Sequence, residues 1–257
     1  MKFSVYLNGK NQQDAALKAF AKACDGIIYE QGRTLVGGIT VVAGLDHDSL
    51  GRIKQCQKEG RQFVFLDHAY FNRGYKTGNF RVCLNGVHQS TLLEVPGDRL
   101  ERLGLQVKPW RTGREIVVLA PSERVCDAVG VSKRWAQEIA GKIGKYTGRP
   151  VRLKFKGPGL GGELKDAHCV VSLSSVAEVE AALIGVPVFT SEYSPASPIA
   201  EHDFLKIESP IYPDREPWLK NRSYSQWNIG EFGEAIRHLQ RVLNGDLNAR
   251  GAGHSSL

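Results

Sequence analysis

The sequence lacks any long apolar run. No stretch approaches the roughly 20 consecutive apolar residues that a helix needs to cross a bilayer. The N-terminal segment, MKFSVYLNGK, is too short and too polar for a secretory signal. These absences exclude a membrane-spanning protein and predict a cytoplasmic location.

Cysteine is scarce and never paired in a Cys-x-x-Cys motif. An odd, dispersed set of cysteines is typical of reduced thiols that mostly pack in the core, and it argues against a disulfide framework. The five cysteines are Cys24, Cys56, Cys83, Cys126 and Cys169.

A metal-binding signature is also lacking. Two Asp-His pairs, Asp46-His47 and Asp67-His68, could supply ligands, but their spacing fits no closed zinc site. We therefore predict no metal and no other cofactor.

Positive charge is in excess. The 257 residues carry a net charge of +7, and the isoelectric point is near 9.2. This balance favours a polyanionic partner such as nucleic acid, or an anionic small substrate. The hydrophobic share of 42% and charged share of 24% are those of an ordinary globular protein, long enough for one large domain or two small ones.

Strand and helix patterns alternate along the chain. Short β-branched or aromatic runs predict buried strands, and apolar residues at helical spacing predict the helices between them. The first series has strands at 3–7, 39–43, 63–66 and 80–84 and helices at 11–23 and 49–60. After the linker-like KPWRTG, 108–113, the second series has strands at 115–120 and 151–155 and helices at 132–146, 162–166 and 231–243.

The segment VVSLSSVAEVEAALIGVPVF, 170–189, is the most informative of the chain. It is typical of a buried strand, a serine-rich turn, a short helix and a Gly-x-Pro corner that leads into a second buried strand. Ser172, Ser174 and Ser175 fall where the strand ends and the helix begins. The unpaired N–H groups at a helix start attract phosphate, and hydroxyls add further donors. Glu180 follows one to two turns later.

This segment resembles the donor-nucleotide segment of GT-B glycosyltransferases, and its serine pair resembles capsule-type sugar transferases. In that family a Ser/Thr turn holds the phosphates of a nucleotide sugar, and a Glu in an "EA…GxPV" block holds the ribose hydroxyls. The resemblance implies that Ser172, Ser174, Ser175 and Glu180 bind the donor. Where the retaining-type signature has a Glu, eight residues before Glu180, this chain has Ser172, so inversion is expected.

A plainer interpretation of this segment stays open: an ordinary βαβ unit would use Ser174 or Ser175 as a helix N-cap.

The loop KGPGLGG, 156–162, is a second candidate phosphate contact, in which the backbone of Gly157 and Gly159 would approach a pyrophosphate. The alternative is a flexible connector, because glycine is also common in such loops. The loop is not a Walker motif, since no Gly-Lys-Ser/Thr follows.

Asp67 and His68 are the candidate catalytic residues. They end a predicted strand, and the carboxyl ends of strands line the ligand crevice of open α/β sheets. Sugar transfer to a hydroxyl needs a base that removes the proton of the acceptor. The alternative is that Asp67 caps the next segment and His68 is a satisfied polar residue. For Asp46, which directly precedes a helix, capping is the favoured interpretation.

The segment 70–88 interleaves aromatic and basic side chains. This mixture suits a splayed nucleic acid, through stacking and phosphate contacts, and it equally suits a sugar lying on an aromatic face. A hairpin with a solvated basic edge is the plain alternative. The run "DHAYF…FRV.LNGVHQ" resembles a segment of phage-encoded proteins, among them DNA-modifying glycosyltransferases. The candidate acceptor or DNA contacts are Arg73, Tyr75, Lys76, Arg81 and His88.

Together these features predict an α/β fold that is GT-B-like, with two Rossmann-like domains facing across a cleft. The predicted domains are an acceptor-binding domain at 1–110, a nucleotide-sugar-binding domain at 114–230, and a returning helix with a loose tail at 231–257. The expected function is transfer of a sugar to a hydroxyl of hydroxymethylated pyrimidine in phage DNA, with inversion and Asp67 as the base. A base inside a duplex must be flipped out to react.

Three other functions remain open. A capsule or surface-glycan transferase would use the same donor segment, and a nucleotide-sugar epimerase shares the fold without needing a macromolecular acceptor. A non-catalytic nucleic-acid-binding module would explain the charge, although it would not explain the Ser-Ser…Glu…GxPV block.

Overall fold

A computed structural model describes the chain except for residues 31, 33, 74, 90, 158, 159, 161 and 251–257 and the side chains of 75, 249 and 250. The described residues divide into two compact units. The first combines Met1–Leu103 with residues 219–250, and the second is Gly104–Trp218.

The helices and strands, in chain order, confirm the predicted alternation. As far as Leu103 they are β1 Phe3–Tyr6, α1 Asn11–Cys24, β2 Ile27–Tyr29, β3 Ile39–Ala43, α2 His47–Lys58, β4 Phe63–His68, β5 Asn79–Leu84, β6 Leu92–Leu93 and α3 Asp98–Leu103. The next are β7 Glu115–Leu119, α4 Glu123–Val129, α5 Trp135–Ile143, β8 Val151–Lys154, β9 Ala167–Val171, α6 Ala177–Leu183 and β10 Val188–Phe189. The last are α7 Glu216–Tyr224, β11 Gln226–Asn228, α8 Phe232–Leu243 and β12 Ala249–Arg250.

The sheet of the first unit has six strands in the order β11-β5-β4-β3-β1-β2. Strands β2, β1, β3 and β4 are parallel, whereas β5 and β11 run antiparallel to their neighbours. Helix α8 packs beside α1, and the rings of Phe232 and Phe20 lie 5.6 Å apart in the core. A separate antiparallel pair joins β6 to β12.

The sheet of the second unit has four parallel strands in the order β10-β9-β7-β8. Its central strands are almost wholly apolar because a parallel sheet is covered on both faces. Val117 in β7 and Val170 in β9 have no exposed surface. The α/β class is therefore confirmed in both units, with a mixed sheet in the first and a wholly parallel sheet in the second.

Two predicted helices differ from the structure. The helix predicted at 132–146 begins only at Trp135, because the Ser132 hydroxyl accepts the N–H of Arg134 and donates to Glu138 ahead of it. The short helix predicted at 162–166 is wrong, since this stretch consists of turns. The sequence reasoning missed strand β11, which completes the first sheet although it lies far along the chain from the other strands.

The predicted core packing of the cysteines is confirmed. All five cysteines are free thiols; Cys24 is half-buried and the other four are buried. Trp218 and Trp227 are buried, and each indole N–H donates to a backbone carbonyl.

None of the helices in the described part of the chain has the length and apolar character required to traverse a lipid bilayer.

Candidate functional site

The serine-rich turn joins the carboxyl end of β9 to the start of α6. Ser172 is buried, and its N–H continues the sheet by donating to the carbonyl of Phe189 at 2.9 Å. Ser174 and Ser175 are half-buried. The Ser175 hydroxyl oxygen accepts the N–H of Ala177 at 3.2 Å, the first residue of α6. The turn therefore brings the three predicted serines together at a strand end, where open α/β sheets bind ligands.

Glu180 lies on α6, half-buried, next to the buried Ala181 and Ala182. Its position, fewer than two helical turns after the serines, is the one that the sequence predicts. Helix α6 begins at Ala177, directly after the serine-rich turn, and Glu180 lies in its first turn. The serines and Glu180 are therefore close together in the chain.

Glu178 was missed by the sequence reasoning, and it is the most deeply buried carboxyl group near the turn. It has no exposed surface. Its Oε1 accepts the N–H of Ser175 at 2.9 Å and the hydroxyl of Thr190 at 3.0 Å. Its Oε2 accepts the hydroxyl of Ser194. Glu178 thus connects the turn to the segment that follows β10.

The burial of Glu178 changes its protonation. Loss of hydration raises the pKa of Glu178 to about 8, against the opposing hydrogen bonds of the Ser172 and Thr190 side chains and of backbone N–H groups. At neutral pH the group is therefore mostly the uncharged acid. Helical spacing could have indicated this burial, because Glu178 lies three and four residues before Ala181 and Ala182 and shares their inner face.

The Gly-x-Pro corner has a structural function. Gly185 has a φ of +82°, and a Cβ there would lie 1.9 Å from the carbonyl oxygen of Pro109. The linker passes directly over the corner: the N–H of Lys108 donates to Leu183 and the N–H of Arg111 donates to Gly185, each at 2.8 Å. Glycine is required here because only glycine allows this close backbone approach.

Gly185→Ala is expected to lower the free energy of unfolding by about 2 kcal/mol, because the left-handed conformation and the clash with Pro109 both oppose it. Gly141→Ala is the matched control, since a Cβ at this helical glycine meets nothing within 4 Å. That variant should be neutral or slightly stabilising. Denaturant unfolding of both variants measures the difference, and equal stabilities would contradict the assigned role of Gly185.

The glycine-rich loop is described only in part. Gly157 is exposed, and a Cβ there would lie 3.3 Å from the ammonium group of Lys154. That ammonium group pairs with Glu163 at 2.8 Å. Gly159 lies outside the described residues. The phosphate role of Gly157 and Gly159 stays a prediction.

Asp67 and His68 are the last two residues of β4. Antiparallel pairing sets Asp67 opposite Arg81 on β5, and Asp67 Oδ2 accepts from Arg81 Nη2 at 2.8 Å. Asp67 Oδ1 accepts the N–H of His68 at 2.8 Å. The side chain of Asp67 keeps 18% of its surface exposed. These two hydrogen bonds therefore fix the orientation of the carboxylate, and part of the side chain remains accessible to solvent.

Arg81 is buried rather than placed on a basic edge. It is 5% exposed, and its guanidinium lies 5.3 Å from the centre of the Phe65 ring, besides its ion pair with Asp67. Arg73 and Lys76, in contrast, are exposed. The side chain of Tyr75 lies outside the described part. Of the five predicted acceptor contacts, Arg73 and Lys76 thus present charge at the surface.

His88 belongs to a polar cluster inside the first unit. Its Nδ1 lies 3.2 Å from the hydroxyl of Tyr70, which also contacts the thiol of Cys83 at 3.7 Å. Loss of hydration, together with the nearby Arg81 and Arg222 guanidinium groups, lowers the pKa of His88 well below its ordinary value. The ring is therefore uncharged at neutral pH.

Asp46 caps α2, as the sequence indicated. Its Oδ1 accepts the N–H of Ser49 at 2.9 Å, and its Oδ2 accepts from the ammonium group of Lys10 and the amide of Asn8, both at 3.0 Å. Burial opposes the charge on Asp46, but the bonds from Ser49 and Lys10 outweigh it and lower the pKa of this carboxyl. A structural role accounts for Asp46.

Across the described ranges of the chain, His, Cys, Asp and Glu side chains nowhere gather in a group of three or more that could hold a metal ion. The sequence-based expectation that the protein needs no metal stays a prediction.

The fold is similar to solved structures of two transferases from Thermosulfurimonas dismutans. KpsC, beta Kdo 2,4 transferase, gives a TM-score of 0.55 at 10% identity, over 88% of this chain and 91% of that one. KpsC, beta Kdo 2,7 transferase, gives 0.50 at 12% identity, over 93% of this chain and 100% of that one. No protein-family model and no curated protein matches the chain. At these identities the likeness is one of fold.

Proposed function

We propose that the protein is a glycosyltransferase that takes a sugar from a nucleotide-sugar donor. The observation that carries this proposal is the turn Ser172–Ser175 with Glu180 at the carboxyl end of β9. The fold, similar to those of two Kdo transferases, supports it. Assignment to the GT-B class, in which donor and acceptor bind to separate Rossmann-like domains, is part of the proposal.

The donor binds to the second unit. The hydroxyls of Ser174 and Ser175 contact its phosphates, and the Glu180 carboxylate accepts hydrogen bonds from the ribose hydroxyls. The supporting geometry is the strand-to-helix turn, where backbone and hydroxyl donors favour negative charge. A nucleotide sugar is a co-substrate here, and no metal is needed in the proposed mechanism.

The acceptor binds to the first unit near Asp67, which acts as the base. One carboxylate oxygen of Asp67 is held by Arg81 and the other by the N–H of His68, so the group is fixed in orientation. A base must lie within hydrogen-bond reach of the acceptor hydroxyl, and a fixed carboxylate with exposed surface meets that need. Direct displacement by the activated hydroxyl inverts the anomeric centre.

The proposal includes two acceptor classes. Hydroxymethylated pyrimidine in DNA is favoured by the net charge of +7 and by the exposed Arg73 and Lys76. A glycan hydroxyl is favoured by the burial of Arg81, which removes one cation from the predicted DNA contacts. Transfer assays that offer hydroxymethylated DNA and glycan acceptors side by side separate the two.

A thermal-shift screen tests the donor class. Because a ligand that binds only the folded state raises the unfolding temperature, UDP, GDP, CMP and ADP sugars are compared at equal concentration. The proposal expects one nucleotide to give a clear upward shift. If none does, and the protein is instead retained on DNA, the non-catalytic nucleic-acid-binding function takes its place.

Glu180→Ala is expected to weaken binding of the nucleotide by about 1–3 kcal/mol, because the ribose hydroxyl pair loses a charged acceptor. Calorimetric titration measures this change. Glu123→Ala, at an exposed position on α4 of the same unit, is the control and should bind as the wild-type protein does. Unchanged affinity in the Glu180 variant would show that the ribose lies elsewhere.

A further inference from the structure

The turn Ser172–Ser175 is tied to a second segment, Thr190–Ala196, which follows β10. The hydroxyl of Ser174 donates to the carbonyl of Tyr193 at 3.4 Å, and that of Ser191 donates to the carbonyl of Leu173. We call the contact between these two segments the junction. Both hydrogen bonds are partly buried, whereas the Glu178 carboxyl group between the segments is fully buried.

The donors around Glu178 converge from both segments. The N–H of Ser175 reaches it from the turn, and the hydroxyls of Thr190 and Ser194 reach it from the second segment. The Ser172 hydroxyl adds a further bond. As the neutral acid, Glu178 accepts hydrogen bonds and can also donate its own proton to one of the surrounding hydroxyl oxygens. An amide of the same size can likewise accept at its oxygen and donate at its nitrogen, whereas a methyl group can do neither.

Glu178 is buried without a cation. Within the described ranges, no Lys, Arg or His nitrogen lies within 4.0 Å of its carboxyl oxygens, which are surrounded by hydroxyl and N–H donors instead. Burying a carboxyl group without a cation costs free energy that an apolar residue would not. This cost makes a role in simple packing a poor explanation of the residue.

The network leaves the hydroxyl proton of Ser175 available. The Ser175 oxygen accepts the N–H of Ala177, and its own proton has no acceptor among the described residues. Meanwhile the N–H of Ser175 is held inward by Glu178. The backbone of Ser175 is therefore fixed from the inside while its hydroxyl can donate outward.

We infer that Glu178 is a positioning residue: it locks the turn to Thr190–Ala196 so that Ser175 presents its hydroxyl to a phosphate group of the nucleotide. This inference rests on the proposed function. It assigns Glu178 no contact with the donor, since the side chain acts through Ser175.

The protonation state of Glu178 predicts how nucleotide affinity should change with pH, so the positioning role can be measured. An ionised carboxylate directly behind the turn repels phosphate, whereas the neutral acid does not. Since burial raises the pKa of Glu178 to about 8, nucleotide affinity should fall as the pH rises through that value. The other titratable groups on the adjoining segments are Glu180, Glu192, Tyr193, Glu201, whose carbonyl accepts the N–H of Thr190, and His202, whose Nδ1 contacts the carbonyl of Thr190 at 2.8 Å. They are unchanged in a Glu178 variant.

Calorimetric titration of CMP, UDP, GDP and ADP at pH 6.5 and pH 9 tests the inference. Wild-type affinity for the nucleotide that binds should fall about tenfold between the two pH values. Glu178→Gln keeps the size and stays neutral, so its affinity should match the wild-type value at pH 6.5 and change much less at pH 9. Glu178→Ala should bind about tenfold more weakly at both.

Ile143→Ala is the control for lost stability. This residue is buried on α5 in the core of the same unit and takes no part in the hydrogen bonds of Glu178, so the variant should be less stable yet bind nucleotide normally. If Glu178→Ala does not fold, Ser194→Ala and Thr190→Val each remove one donor and should weaken binding in its place.

The outcomes separate the two proposals. If nucleotide binds equally well to the wild-type protein and to the Glu178, Ser194 and Thr190 variants at both pH values, the positioning role is wrong and the proposed function stands. If none of the four nucleotides binds the wild-type protein, the proposed function fails and the positioning role fails with it.

Discussion

Turnover is expected to drop about a hundredfold or more when Asp67 is replaced by asparagine, the usual scale for loss of a general base. Asparagine keeps the size and most of the hydrogen bonding of the side chain but cannot take up the acceptor proton. Donor affinity should stay nearly unchanged, because the proposed donor site lies on the other unit. Steady-state rates with any acceptor that supports transfer, together with calorimetric donor binding, measure both quantities.

The Asp67–Arg81 ion pair requires a control for this result. Removing the charge of Asp67 leaves a buried guanidinium without its carboxylate, which can also reduce stability. The unfolding temperature is therefore recorded beside the rate, and rates are compared only where both proteins are folded. An active Asp67→Asn protein, with turnover abolished in His68→Ala or Asp46→Asn, would move the base to one of those residues. Activity in all three would count against a transferase.

The stability of the wild-type protein should decrease between about pH 5 and pH 8 relative to that of Glu178→Gln. In the unfolded chain Glu178 titrates near its ordinary value of 4.5, and in the folded protein near 8. Between these values the folded state binds more protons, so this group's contribution to stability is complete below pH 4.5 and is lost as the pH rises through 8. The full loss is on the order of 5 kcal/mol.

Comparing the two proteins isolates this contribution. Carboxyl groups with a lowered pKa, such as Asp46 and Glu231, change stability in the opposite direction in acid, but they do so equally in both proteins. Thermal unfolding at pH 5, 6.5 and 8 measures the difference between wild type and Glu178→Gln. Parallel curves would mean that Glu178 titrates like an exposed carboxyl group and that the junction is open to water.

The local pattern of the sequence was sufficient to predict the secondary structure of the segment 170–189. A continuous apolar run predicted the strand, and the serines and the Gly-x-Pro corner predicted the turn and the second strand, because these signals lie within a few residues of the structure they form. The local pattern could not predict the packing role of Gly185. Its close neighbour, Pro109, lies 76 positions earlier in the chain.

Arg81 and Glu178 show why burial of charged residues is hard to predict. The sequence around Arg81 suggested a basic edge, yet pairing of β5 with β4 on one side and β11 on the other encloses the side chain. Whether a buried polar side chain finds hydrogen-bond partners depends on residues that other helices and strands bring next to it. For Glu178 these are Thr190 and Ser194, which no local spacing connects to it.

The discontinuity of the first unit affects how the protein forms during translation. Strand β11 pairs with β5, and the Gln226 side chain accepts the N–H groups of Tyr70 and Phe71, more than 150 positions earlier. The second unit, Gly104–Trp218, is one uninterrupted stretch and needs none of these distant partners. On the ribosome, the middle of the chain can therefore complete its sheet while the first-synthesised part still waits for its edge strand. We expect the first part to be synthesised to be the last to finish folding, because its closure joins residues of large sequence separation.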